Sequence, residues 1–190
     1  MIQKFEFEKL NLKDAMLIKP FCADDIRGCF IKDYSEEVFM QYGLKHTLKE
    51  VFYTVSHKGV IRAMHFQRVK QQAKLVRCIH GKIYDVIIDL RKDSPTFLQW
   101  RGFYLTGENK YMLYIPEGFG HGYLVLEDSI VSYKCNEKFY GEYDGGIKWD
   151  DPELNIKWPL EEINGKVILA EKDKNLPSYA EWKILENGGF

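Results

Sequence analysis

The chain lacks any long apolar run. Its densest hydrophobic stretch, Asp85-Val-Ile-Ile-Asp-Leu90, is interrupted by charge within a few residues, far short of the roughly 20 needed to cross a bilayer, so no transmembrane helix is expected. Residues Met1 to Lys9 alternate charged and apolar side chains and lack the continuous apolar centre of a secretory signal, which makes the cytoplasm the expected compartment. An excess of one charge is missing too. With 27 Lys plus Arg against 28 Asp plus Glu, no bulk field favours duplex nucleic acid or an anionic membrane, and an anionic ligand has to be met by local charges. Cysteine is sparse: Cys22, Cys29, Cys78 and Cys135 are dispersed, with no Cys-x-x-Cys pair and no histidine at zinc-finger spacing, so buried reduced thiols are expected. No repeat, low-complexity tract or Pro/Gly/Ser linker divides the 190 residues, and one domain spanning 1–190 is expected.

Aromatic residues are abundant, with 12 Phe, 12 Tyr and 4 Trp, a composition that leans toward β-structure. One helix is expected, near residues 35–42: Ser35 is suited to cap it, Glu36 and Glu37 lie in its first turn, and Gly43 is suited to stop it. Beyond it the chain reads as short strands. Lys74–His80 and Lys82–Leu90 are read as two strands meeting at Gly81, and the second sets Ile83, Asp85, Ile87 and Asp89 on one face. Phe97–Leu105, Tyr111–Ile115, Gly122–Val125 and Ile130–Cys135 follow, separated by turn residues. Many short strands at this spacing predict an all-β sandwich or barrel. After Asp150-Asp-Pro152 an irregular C-terminal tail is expected to wrap it.

Two segments carry chemistry. Gly59-Val-Ile-Arg-Ala-Met-His65-Phe-Gln67 sets a histidine six residues after a glycine, and Pro116-Glu-Gly-Phe-Gly-His121-Gly122 has a Pro-x-Gly-x-x-His arrangement. Together they resemble the two motifs of the cupin family, which implies a jelly-roll barrel. In metal-binding cupins a second histidine and an acid follow the first. Here Gln67 and Gln71 or Gln72 stand in those positions, and neutral amides do not replace an imidazole and a carboxylate as ligands. A metal-free barrel is therefore expected.

From about Arg27 to Pro177 a closer resemblance emerges. Its elements are Arg27-Gly-x-Phe30, Gly59-Val-Ile-Arg62, His65-Phe-Gln67, Lys74-Leu-Val-Arg77, Asp85-Val, Asp89-Leu-Arg91, Ser94-Pro-Thr-Phe97, Ile115-Pro-Glu-Gly-Phe119, His121-Gly122, Tyr133-Lys134, Trp149-x-Asp151, Trp158-Pro159 and Lys172-Asp173. In this order and spacing they resemble the dTDP-4-dehydrorhamnose 3,5-epimerase family. The resemblance implies a homodimer that, without metal or organic cofactor, inverts C3, C5 or both in a nucleotide-diphospho-4-keto-6-deoxy sugar, the substrate being its small-molecule partner. By matching, His65 is the base, Asp173 the carboxylate that supports it, Lys74 the cation at the developing O4 enolate and Tyr133 the proton donor from the opposite face. The chemistry requires such a set. A carbon acid beside a ketone lies roughly a dozen pKa units above imidazole, at about 1.36 kcal/mol per unit, so a base alone does not suffice and the enolate has to be stabilised.

The same matching puts Arg27 and Arg62 at the diphosphate, where guanidinium forks suit phosphate oxygens. It makes Gln67, His121, Phe139 and Lys172 substrate-facing, with His121 alternatively only holding a turn. Three departures from the family pattern concern recognition. Lys32 stands where an acid is usual, Glu50-Val-Phe52 where Gln-x-Asn is usual, and Gly141 follows Lys138-Phe-Tyr140 where a proline is usual. A lysine suits cytosine's acceptors better than thymine's central N–H, and Glu50 suits an exocyclic amino group. A CDP-linked substrate therefore stands beside a dTDP-linked one. A metal-dependent cupin and a non-catalytic sugar-nucleotide-binding jelly roll are the readings from other classes. The dimer also gives a surface to Phe5, Phe7 and Leu10 of the N-terminal segment.

Overall fold

The computed structural model describes residues 4–185 and 190. Its elements run β1 (Glu6–Lys9), β2 (Met16–Lys19), β3 (Phe21–Asp25), β4 (Gly28–Lys32), α1 (Glu36–Gln41), β5 (Glu50–Ser56), β6 (Ile61–Gln67), β7 (Lys74–Asp89), β8 (Trp100–Thr106), β9 (Met112–Ile115), β10 (Phe119–Cys135), β11 (Asp144–Gly146), α2 (Glu171–Lys174) and α3 (Tyr179–Leu185). The order β1-β2-β9-β7-β10-β6-β11 is continuous, with β8 added to β7 and β5 to β10, while β3 and β4 pair only with each other.

Two long strands shape the barrel by changing partners along their length. Residues Lys74 to Arg77 of β7 pair with β9, whereas Lys82 to Ile88 pair with β8. On β10, His121 to Leu124 pair with β6, whereas Ser129 to Cys135 pair with β5. Each strand thus belongs to both sheets of a jelly roll and bends between them. The bend in β7 sits at Gly81, which has φ +77° and whose added Cβ would lie 2.1 Å from Asp128 O, so only glycine fits. The break expected at Gly81 is therefore a bend within one 16-residue strand, and Gly122–Val125 and Ile130–Cys135 are parts of one 17-residue strand. A glycine reads as punctuation in sequence, but here the ladder to β10 resumes on both sides of it.

The barrel interior packs Val76, Ile83, Ile87, Leu113, Tyr123, Val131 and Tyr133, all buried. The outer face of the β6 sheet buries Ile61, Met64, Val86, Ile88 and Leu124 under Trp158, Ile163, Tyr179 and Trp182 of the tail. The tail wraps the barrel as expected, but it is not irregular throughout: α2, α3 and a 3-10 turn at Leu160–Ile163 punctuate it. Asp151 anchors it, accepting hydrogen bonds from Glu153 N, Leu154 N and Tyr179 N.

Other expectations need correction. The helix α1 falls where expected, and Gly43 follows it at φ +81°, but the Ser35 side chain makes no capping hydrogen bond. The strand expected from Phe97 begins at Trp100, because Leu98 adopts φ +60° in the preceding turn. Cys78 and Cys135 are buried, whereas Cys29 is exposed on the β3–β4 hairpin and Cys22 is half-buried. Phe5 is buried within its own chain against Phe39, and Phe7 stacks on Tyr42 at 4.0 Å. The N-terminal segment therefore needs no second subunit to cover it. Among the described residues no helix is long and apolar enough to cross a membrane.

Candidate active site

A cavity of about 720 Å³ opens between the sheets. Strand β6 supplies its floor through an irregularity that strict alternation hides. His121 of β10 pairs with His65 and Tyr123 pairs with Arg62, so Ala63 and Met64 together oppose the single residue Gly122. This bulge re-aims the strand, and Arg62 and His65, three residues apart, both line the cavity. Gly122 is required there, since a Cβ on it would lie 2.3 Å from Ala63 Cβ.

His65 Nε2 lies 2.9 Å from Asp173 Oδ1, with the imidazole 23% exposed and the carboxylate 6%. A carboxylate at Nε2 selects the tautomer protonated there and leaves the lone pair on Nδ1. Nδ1 is itself buried and has no hydrogen-bond partner among the described residues. Asp173 reaches this position from α2, which the tail folds against the barrel.

Lys74 opens β7 half-buried and, among the described residues, makes no ion pair. Burial pushes its pKa below that of an ordinary lysine, opposed by Cys135, Asp144 and Asp85. Tyr133, on the second half of β10, stacks on Phe52 at 4.8 Å and meets His121 edge-on at 5.8 Å. Burial foremost, then Tyr123 and Asp85, push its pKa well above that of an ordinary tyrosine, with Arg62 opposing. The phenol therefore keeps its proton through the neutral range.

His121 is buried, its Nε2 2.9 Å from Asp85 Oδ2. Asp85 is fully buried, its Oδ1 has no partner among the described residues, and burial raises its pKa against the opposing His121 and Lys74. Asp85 is the residue that sequence reasoning missed. The signal was present, because an acid between Ile83 and Ile87 on one strand face is a charge on an apolar surface.

Ten of the twelve expected site residues line this cavity: His65, Tyr133, Asp173, Lys74, Glu50, Arg62, Gln67, His121, Phe139 and Lys172. Their surroundings refine the expected roles. Gln67 donates to Lys70 O and Lys138 O and accepts from Tyr140 N, so its amide is occupied in tying down the Phe139 loop. Glu50 Oε2 accepts from Phe139 N, which engages one oxygen in the same task. Lys172 is ion-paired with Asp144. Arg62 Nε donates to Ser56 Oγ.

Arg27 and Lys32 are not brought to the cavity. Arg27 sits at the tip of the β3–β4 hairpin, its guanidinium on Asp25 with Nη2 2.5 Å from Oδ2, and Lys32 ends β4. Among the described residues no group of three His, Cys, Asp or Glu side chains is disposed to hold a metal ion.

A jelly roll that closes around an imidazole–carboxylate pair, a desolvated ammonium and a buried phenol is equipped to move protons on and off carbon, and that defines a cupin-type isomerase. Comparison with known proteins narrows the class. The chain belongs to the dTDP-4-dehydrorhamnose 3,5-epimerase family, whose model matches residues 9–181. It is 46% identical over 183 residues to the dTDP-4-dehydrorhamnose 3,5-epimerase of Methanothermobacter thermautotrophicus, covering 96% of this chain and 95% of that one. The Bacillus anthracis enzyme of the same name, solved with TDP and pyrophosphate bound, superposes with TM-score 0.86 at 40% identity, covering 92% of this chain and 99% of that one. The dTDP-6-deoxy-D-glucose-3,5-epimerase of Legionella pneumophila Philadelphia 1, in complex with dTDP-4-keto-L-rhamnose, gives TM-score 0.87 at 33% identity over 92% and 93% of the two chains. The protein is thus an enzyme of the epimerase kind.

Proposed function

We propose that the protein inverts C3 and C5 of a dTDP-linked 4-keto-6-deoxy sugar in deoxysugar biosynthesis, through an enolate and without a metal. The observation that carries this reading is the His65–Asp173 pair, 2.9 Å apart, in one cavity with Lys74 and Tyr133. His65 takes the proton beside the C4 carbonyl, and Asp173 steadies the imidazolium that results. Lys74 faces the oxygen where the enolate charge develops, in a setting where desolvation strengthens the attraction. Tyr133 returns a proton from the opposite face, which produces the inversion. Arg62, with its terminal nitrogens beyond the Ser56 contact, suits the diphosphate. Metal independence is supported by Gln67, whose amide is already engaged by backbone groups.

In this reading residues 1–190 form one catalytic unit that works in the cytoplasm as a homodimer. The exposed Ile26 and Phe30 of the hairpin, and Val51, Tyr53 and Val55 along edge strand β5, supply apolar surface for a partner. Arg27 and Lys32, displaced from their own cavity, then serve the second copy. The thymidine choice rests on the names of the relatives, the 46%-identical one included. The test is incubation in heavy water with dTDP- and CDP-linked 4-keto-6-deoxy sugars, followed by NMR. Deuterium should enter C3 and C5 of the dTDP-linked sugar. Exchange with neither refutes the reading, and exchange with the CDP form alone overturns the nucleotide.

A further inference from the structure

An enolate in this cavity has two fates. The proton on His65 returns to the face it left, which restores the starting sugar, or Tyr133 delivers one from the opposite face, which inverts the centre. The split depends on how steadily the phenol oxygen is held within about 3 Å of the carbon, since proton transfer needs hydrogen-bond reach. That oxygen lies on the long axis of the ring, so spinning the ring leaves it in place. Rotation about Cα–Cβ displaces it, and the neighbours on the adjoining strands decide whether such a swing is open.

Tyr133 pairs with Val76 of β7 on one side and with Phe52 of β5 on the other. Val76 is fully buried in the barrel interior, which closes that side. Phe52 closes the other: its ring stacks on Tyr133 with 4.8 Å between centroids and 10° between planes, a parallel contact within the range where aromatic rings attract. Among the described residues β5 pairs with β10 alone, and Phe52 is 39% exposed. The Phe52 ring therefore stands between Tyr133 and the edge of the sheet. The stack is fixed rather than incidental. Glu50, Phe52 and Thr54 alternate onto one face of β5 and all line the cavity. Glu50 Oε2 accepts from Phe139 N at 3.0 Å, and Thr54 Oγ1 lies 2.8 Å from the Tyr123 hydroxyl on the first half of β10. Tied on both sides of Phe52, β5 is held in the register that brings the two rings together. The family pattern usually has an asparagine where Phe52 stands, so the stack is a feature of this chain.

Resting on the epimerase reading above, we infer that Phe52 is a positioning residue: it holds the Tyr133 phenol over the carbon to be reprotonated, and so sets how often the enolate is inverted rather than returned to the starting sugar. It acts through Tyr133 alone. Proton removal belongs to His65 and Asp173 on the β6 side of the cavity and does not depend on it. Without the ring, the phenol is free to swing toward β5, donation slows, and His65 returns its proton more often.

The test is turnover of a dTDP-linked 4-keto-6-deoxy sugar in heavy water by wild type, Phe52→Leu and Phe52→Tyr, with NMR measuring deuterium in recovered substrate against inverted product. Phe52→Leu should keep proton removal within about 2-fold of wild type while exchange per inversion rises at least about 5-fold, the kind of loss that misplacing a reacting group produces. KM should stay within about 3-fold, since binding common to ground and transition states is retained. Phe52→Tyr keeps a ring over Tyr133 and should restore the wild-type ratio. Phe52→Ile carries the test if Phe52→Leu does not fold, because a β-branched side chain suits an edge strand. An unchanged ratio in a folded variant would overturn the inference, whether or not KM rises. So would an equal fall in exchange and inversion, which is what a merely structural role gives. A Phe52→Tyr that behaves like Phe52→Leu would overturn the stack as the cause. A wild type that neither exchanges nor inverts overturns the epimerase reading itself, and this inference with it.

Discussion

Two imidazole–carboxylate pairs stand side by side in this molecule, and they differ in one respect. His65 and His121 face each other across paired strands, and each sets its Nε2 2.9 Å from an aspartate oxygen. The His65 ring is 23% exposed at the cavity, whereas the His121 ring is 3% exposed and Asp85 behind it is fully buried. The same chemical unit thus lies more open at the cavity in one place and more deeply buried at its wall in the other. On the reading proposed above, access rather than the pair itself decides which ring is the base. The inner pair keeps a second function through charge, because Asp85 favours the ammonium form of Lys74 and disfavours the phenolate of Tyr133.

The comparison is broken most severely by removing the cation that shares the cavity with both histidines. Lys74→Met should reduce kcat on the order of 10³-fold, the loss typical of one group stabilising an oxyanion, while substrate binding persists. On the proposed reading the ammonium is the active form, and the Lys74 pKa is held below that of an ordinary lysine. Activity should accordingly fall as pH rises through that lowered value, and a kcat profile between pH 7 and 11 checks it. Tyr133→Phe comes next. It should cut the yield of inverted sugar on the order of 10²-fold while deuterium still washes into the position that His65 deprotonates, as NMR of recovered substrate would show. The smallest effect belongs to the more deeply buried pair. Asp85→Asn exchanges a charge-assisted hydrogen bond for a neutral one, at a cost of about 1 kcal/mol and roughly 2–4 °C in Tm. With the buried negative charge gone, the alkaline limb set by Lys74 should move to lower pH, which a structural role alone would not produce.

Much of this site was legible in the sequence because it lies on motifs with fixed spacing. His65 and Gln67 follow Gly59, His121 follows Pro116, and Lys74 and Tyr133 lie near ends of β7 and β10, where the alternation is plain. What alternation could not convey was the bulge at Ala63–Met64. A period of two puts Arg62 and His65 on opposite faces, and only the pairing with β10 reveals the extra residue. The Phe139 loop was illegible for a different reason. Gln67 and Glu50 hold it through backbone hydrogen bonds over long sequence separations, and backbone groups leave no residue signature. Arg27 matched the pattern and Lys32 departed from it, yet both lie away from the cavity, because a motif records residue order and not where the hairpin that carries it folds.

The claim that access selects the base is tested most directly by one paired measurement: the rate at which solvent deuterium enters C3 and C5 of a dTDP-linked 4-keto-6-deoxy sugar in His65→Asn and in His121→Asn. The account predicts that His65→Asn loses exchange at both carbons, by on the order of 10³-fold or more, while His121→Asn retains exchange within about 10-fold of wild type. Near wild-type exchange in His65→Asn, or its abolition in a folded His121→Asn alone, would contradict it.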